Sequence, residues 1–141
     1  MTERLAMSRA LAREVVEHCL EGRPHEACGI LGGRDGTVTR VFRMSNADRS
    51  PVRYSLEPRE QLAVYNTLDE EGLELSAVFH SHTRTEPYPS PTDVRLAAEE
   101  VPYLIVSLAA DPPLMRAWRI LKQSWTDEHG SVEEIPVVVA D

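Results

Sequence analysis

Cysteine is nearly absent from this chain. Its 141 residues include two, Cys19 and Cys28, and neither lies in a C-x-x-C pair. A disulfide framework is thereby excluded and a reducing compartment is expected. Long apolar runs are also missing. No segment reaches the length of a membrane span, and Glu3, Arg4, Arg9 and Arg13 interrupt the N-terminal apolar residues where a secretory signal needs an apolar core. No membrane role is expected, and a cytoplasmic location is. Clustered basic residues are lacking as well: the formal net charge is -8, and no stripe could track a phosphate backbone, so nucleic acid is excluded as a partner. There are no internal repeats, linkers or low-complexity tracts, and the length suits one domain over residues 1–141.

What the chain has is an ordinary globular composition, 42% hydrophobic and 27% charged, arranged in readable patterns. Leu5, Leu11, Ala12, Val15, Val16, Cys19 and Leu20 fall on one face of a 3.6-residue period that Gly22 and Pro24 end, which predicts an amphipathic helix. His25 to Gly33 reads as a short apolar strand that turns at Asp35-Gly36 into the alternation of Val38, Arg40 and Phe42, a hairpin. After a polar loop from Ser45 to Ser50, Val52 to Leu56 reads as another short strand. Pro58 opens a helix with Leu62, Tyr65 and Leu68 as its apolar stripe, stopping near Gly72. A strand through Leu75, Ala77, Val78 and Phe79 follows, then a Pro-rich loop and a helix from about Pro91. Tyr103 to Leu108 suits a central strand buried on both faces, and Leu114 to Leu121 an antiparallel neighbour. Val132 to Val139 reads as a last strand, confined to an edge by Pro136. The sum is an α/β or α+β domain, a mixed, mostly antiparallel sheet flanked by about three helices.

The chemistry concentrates between Val78 and Asp93. His80 and His82 end a strand, and residues two apart on a strand point to one face, so two imidazoles converge. Asp93 can supply a third ligand, and two His with one carboxylate leave the fourth position of a tetrahedral zinc open to water. Ser90-Pro91-Thr92-Asp93 is equally a plain helix start, with Ser at the N-cap, Pro at the first position and an acid at the third. Both readings hold together, since a helix N-terminus presents a carboxylate rigidly. Glu26, just before a buried strand, is the candidate general base. His25-Glu26 is not an H-E-x-x-H helix, because Gly29 stands where the second His must be. No P-C-x-x-C is present, which excludes a zinc deaminase. Non-haem iron uses the same ligand types, so ligand identity leaves the metal open. Cys28 reads as a buried structural thiol.

Glu26, then His80-Ser81-His82, seven residues, Ser90, two residues and Asp93, with Glu26-Ala27-Cys28-Gly29 at the front, resembles the JAMM signature of the MPN+ (Mov34/JAB) metallopeptidases. The resemblance runs from about Leu5 to Leu121 and implies the MPN fold. It further implies that His80, His82 and Asp93 bind one zinc, that Glu26 activates water, and that Ser90 hydrogen-bonds the oxyanion. Large deubiquitinating members often have Pro after the second His, whereas this chain has Thr83. The segment is more similar to compact bacterial members that act on sulfur carriers. By that resemblance the partner is a small ubiquitin-like sulfur-carrier protein ending in Gly-Gly, from which cysteine is released in a biosynthetic route. Arg84 and Tyr88, between the second His and Ser90, could touch the tail or the released amino acid. Three other readings stay open: a general isopeptidase, a non-catalytic metal-binding scaffold, and an iron oxygenase.

Overall fold

The computed structural model describes residues 3–141. The chain opens with a strand, β1 (Leu5–Ser8), where the sequence predicts the start of a helix. Leu5 and Met7 are buried while Ala6 and Ser8 are half-buried, a period of two. Ser8 then ends the strand as an N-cap, its Oγ accepting from the Leu11 N–H at 3.2 Å. The helix proper is α1 (Arg9–Gly22), which buries Ala12, Val15 and Cys19.

β2 (Cys28–Arg34) and β3 (Thr37–Met44) form the expected hairpin. Asp35 and Gly36 both have positive φ, 52° and 79°, the turn chemistry that a two-residue hairpin loop demands. The strand expected at Val52 to Leu56 is absent. That stretch bends at Val52 and keeps a single bridge, Asn46 to Leu56. Asn46 holds it through side-chain bonds: its amide donates to the Glu26 and Arg53 carbonyls, and its carbonyl oxygen accepts from Asp48 and Ser55 N–H groups. A side chain that satisfies the backbone removes the need for a ladder.

α2 (Pro58–Glu71) buries Val64 and Leu68 and leaves Leu62 62% exposed. The expected stripe of every third residue drifts by ~60° per step around a helix, which carries Leu62 off the buried face. β4 (Glu74–His82), α3 (Pro91–Leu96), β5 (Tyr103–Ser107) and β6 (Leu114–Leu121) follow as the pattern predicts. Pro136 does not merely confine the last strand. It divides it into β7 (Ser131–Ile135) and β8 (Val137–Ala140).

The eight strands form one sheet in the order β7-β6-β5-β4-β2-β3-β1-β8. β2 pairs antiparallel with β3 and β4, as does β6 with β5 and β7, whereas β4–β5, β1–β3 and β1–β8 are parallel. β7 and β8 are joined through Pro136 yet lie at the two ends of this order, so the sheet curls until its outer strands meet. α1 covers one face through Val15, Cys19, Leu31, Ala77, Phe79 and Leu104. The other face carries α3 over Val78, Val94 and Tyr103, and α2 over Ile30, Val64 and Leu68. β4 is therefore buried on both faces, and its C-terminal end opens toward α3.

Candidate metal and catalytic site

The site lies at the C-terminal end of β4, beside the start of β2. Cys28 pairs with His80 across the antiparallel ladder. Continuing that register, the Ser81 N–H donates to the Ala27 carbonyl at 3.0 Å and Glu26 comes opposite His82. Directly paired residues share a face, so Glu26, His80 and His82 all project toward the α3 side. Ser81 points the other way, and its Oγ accepts from the Ala27 N–H at 2.8 Å, a buried bond that locks the Glu26 segment onto β4. Gly29 makes this close approach possible. A Cβ there would sit 2.3 Å from the Phe42 carbonyl oxygen and 2.4 Å from the Phe79 ring.

Asp93 arrives from the first turn of α3. The capping box is complete: Ser90 Oγ accepts from the Asp93 N–H at 3.0 Å and Asp93 Oδ2 accepts from the Ser90 N–H at 2.9 Å. Because the Ser90 oxygen is the acceptor in that bond, its hydroxyl proton remains free to be donated elsewhere. At the other end of α3, Lys122, the chain's one lysine, donates to the Val94, Arg95 and Ala97 carbonyls at 3.0, 3.1 and 3.3 Å. A cation at a helix C-terminus is favourable, and here it fixes the short helix that carries Asp93.

His80, His82 and Asp93 are buried together and could hold a metal ion, their ligand atoms all lying within 4.8 Å of one another. The Nε2 atoms of the two imidazoles are 3.2 Å apart, His82 Nε2 is 2.9 Å from Asp93 Oδ2, and His80 Nε2 is 3.3 Å from Asp93 Oδ1. The His82 Nδ1–H donates to the Glu86 carbonyl at 2.8 Å, so in the neutral ring Nε2 carries a lone pair. That lone pair faces a carboxylate oxygen, and two acceptors in contact repel unless a cation or a proton lies between them. Tetrahedral coordination with bonds of ~2.0–2.1 Å sets donors ~3.3 Å apart. The donor set therefore fits a zinc-like ion. Without one, burial of Asp93 opposes its charge, but His80, His82 and the Ser90 N–H outweigh burial and hold its carboxyl well below the usual range. His82 is displaced upward: burial lowers it, but its bonds to the Asp93 carboxylate and the Glu86 carbonyl, together with the charges of Asp93 and Glu26, outweigh that effect.

Glu26 is 4% exposed, and its Oε1 has no hydrogen-bond partner among the described residues. Burial, reinforced by the charge of Asp93 and only partly offset by His82, pushes its carboxyl from 4.5 up to about 8. A carboxyl titrating near neutrality can both take and return a proton. It lines a small recess with Ser90, Pro51, Val52 and Arg84. Tyr88 lies elsewhere: it packs edge-on against Trp118 at 4.8 Å and lines a separate groove with Arg95 and His129. A third recess adjoins Asp93 through Tyr54, Leu56, Leu96 and Tyr103.

Sequence reasoning did not single out Tyr54, Ser81 or Asn46. Tyr54 stacks on His80, ring centroids 4.3 Å apart and planes 22° from parallel, walling the imidazole from the apolar recess. An aromatic in a short irregular stretch gives no local signal. The parity of the His80-Ser81-His82 triplet does place Ser81 on the opposite face, where a buried hydroxyl needs a partner.

Known proteins resemble this chain over most of its length. The model of the family described as prokaryotic homologs of the JAB domain matches residues 8–121. The CysO-cysteine peptidase of Mycobacterium tuberculosis is 37% identical over 134 residues, covering 92% of this chain and 92% of the relative. A Thermus thermophilus protein named "Probable TtuB-protein conjugate cleaving protease" is 37% identical over 102 residues, covering 72% and 68%. A protein of Desulfitobacterium hafniense solved in solution superimposes with a TM-score of 0.86 at 34% identity, over 97% of this chain and 93% of the other. The family model, the full-length relatives and the shared fold lead to one conclusion: the chain belongs to the family of prokaryotic homologs of the JAB domain.

Proposed function

We propose that this chain is a zinc metallopeptidase that hydrolyses the amide bond after the C-terminal Gly-Gly tail of a small ubiquitin-like sulfur carrier and releases cysteine. The observation that carries the reading is the convergence of Glu26, His80, His82 and Asp93 in one buried cluster, with Ser90 at its edge. His80, His82 and Asp93 would hold the metal. When bound, the metal supplies Lewis acidity, lowering the pKa of water to about 7 and polarising the scissile carbonyl. Glu26 takes a proton from the attacking water. The water oxygen bonds to the carbonyl carbon, and the Ser90 hydroxyl donates to the oxyanion that develops, a contact worth ~3 kcal/mol in comparable sites. The carbon–nitrogen bond then breaks, Glu26 returns the proton to the leaving amine, and the products are the carrier carboxylate and free cysteine.

The whole chain would act as one catalytic domain. Cys19 and Cys28 are buried free thiols, which suits work in the reducing cytoplasm. The resemblance to a full-length CysO-cysteine peptidase supports the carrier substrate. The Thermus relative, named for cleaving conjugates, supports a second reading, an isopeptidase acting on protein conjugates. The test is to incubate the metal-loaded protein with a carrier ending in Gly-Gly-Cys and follow the carrier's intact mass, beside chelator-treated protein and Glu26→Gln. Loss of one cysteine residue by the untreated protein alone supports the reading. An unchanged carrier, with conjugates cleaved instead, would replace it with the second.

A further inference from the structure

A peptidase that releases one amino acid has to recognise the end of its substrate. The leaving amine receives its proton from Glu26, so the residue bearing that amine must lie beside Glu26, in the recess bounded by Ser90, Pro51, Val52 and Arg84. The recess encloses about 280 Å3, room for a small amino acid but not for a folded chain. Arg84 is the cation on its wall. The backbone around Arg84 is anchored at three points: Thr83 Oγ1 donates to the Pro51 carbonyl, Ser107 Oγ to the Thr85 carbonyl, and the His82 Nδ1–H to the Glu86 carbonyl, at 3.4, 2.6 and 2.8 Å. Yet the Arg84 guanidinium makes no hydrogen bond or ion pair among the described residues.

Resting on the peptidase reading above, we propose that Arg84 binds the free α-carboxylate of the residue that leaves, a contact that selects substrates in which a single amino acid follows the tail. A planar guanidinium matches a carboxylate bidentately and is already charged at every working pH. The same contact discriminates against protein conjugates, in which the residue beyond the tail is a lysine inside a chain and carries no free carboxylate at that place.

The experiment compares two carriers, one ending in Gly-Gly-Cys as the free acid and one ending in the cysteine carboxamide. Each is treated with metal-loaded wild type, Arg84→Gln and Arg84→Lys, with kcat/KM read from intact mass. Because Arg84 is exposed and bonds nothing, both variants should fold. The wild type should prefer the acid by ~10-fold or more, the usual scale of a charge-assisted pair. Arg84→Gln should cleave both carriers at the wild-type carboxamide rate, and Arg84→Lys should fall between. Equal cleavage of acid and carboxamide by the wild type, or a preference that survives in Arg84→Gln, overturns the carboxylate contact and leaves the peptidase reading standing. A metal-loaded wild type that cleaves neither carrier overturns both.

Discussion

Replacing Glu26 by Gln should make the metal-free protein more stable at pH 8 while disabling it as an enzyme. Glu26 is buried with one oxygen unpartnered, and its carboxyl is raised from 4.5 to about 8. Below pH 4.5 the group is protonated in the folded and unfolded states alike and costs nothing. As pH rises from 4.5 toward 8 the unfolded chain ionises while the folded one resists, so stability falls through that window. At about 1.4 kcal/mol per unit, the cost is about 1 kcal/mol near pH 5 and about 4 kcal/mol near pH 8. The amide of Gln has no charge to desolvate and escapes this cost. Urea unfolding of chelator-treated wild type and variant, followed by Trp118 and Trp125 fluorescence, should show the variant gaining about 3 kcal/mol relative to wild type between those two pH values. Activity of the metal-loaded variant should fall by ~10²–10⁴-fold. A stability difference that is the same at both pH values would refute the claim that Glu26 is held neutral by its surroundings.

Ser90→Ala removes a helix cap and the free hydroxyl together: stability should drop by ~1 kcal/mol, and steady-state kinetics should show kcat down ~10²-fold with KM little changed. Gly29→Ala drives a methyl group into the Phe42 carbonyl and the Phe79 ring, so its urea midpoint should fall by the equivalent of ~1–3 kcal/mol or more. Lys122→Gln loses the charged donor to three carbonyls at the C-terminal end of α3, those of Val94, Arg95 and the capping residue Ala97; a loss of ~1–2 kcal/mol is expected in thermal melts, with Lys122→Arg recovering part of it. Removing the metal by dialysis against chelator should lower the melting temperature and abolish cleavage, and added zinc should restore both, since saturation a thousandfold above Kd contributes ~4 kcal/mol.

The candidate site is legible because its residues are chemically rare and their spacing is dictated by local geometry. His80 and His82 share a face by strand parity, and Ser90 and Asp93 are brought together by a capping box that three residues specify. Glu26 was a weaker inference from its own surroundings, since its nearness to His82 depends on a ladder between segments about fifty residues apart. Tyr54 and Asn46 are illegible for the same reason: each acts through contacts that no periodicity announces. In the fold, local rules misplaced the first helix because Leu5 satisfies both the helical stripe and the strand alternation, and only pairing with β3 and β8 decides for the strand. Pro136 has no N–H to give a central ladder, which confines the strand around it to an edge. What its position could not reveal is that the chain on either side of it joins opposite ends of the sheet.

That joint governs how the molecule assembles and breathes. Leu5 pairs with Val137, so the curl closes only when segments about 130 residues apart in the chain meet, a contact of high order that should come late in folding. The same seam, made of short strands with exposed outer positions, should be where amide protons exchange first. β2 and β4 stand in the middle of the eight, as far from the seam as the sheet allows, and their amides should exchange last. Opening of the curl can then come and go without disturbing the spacing between the carboxyl just ahead of one middle strand and the imidazoles on the other.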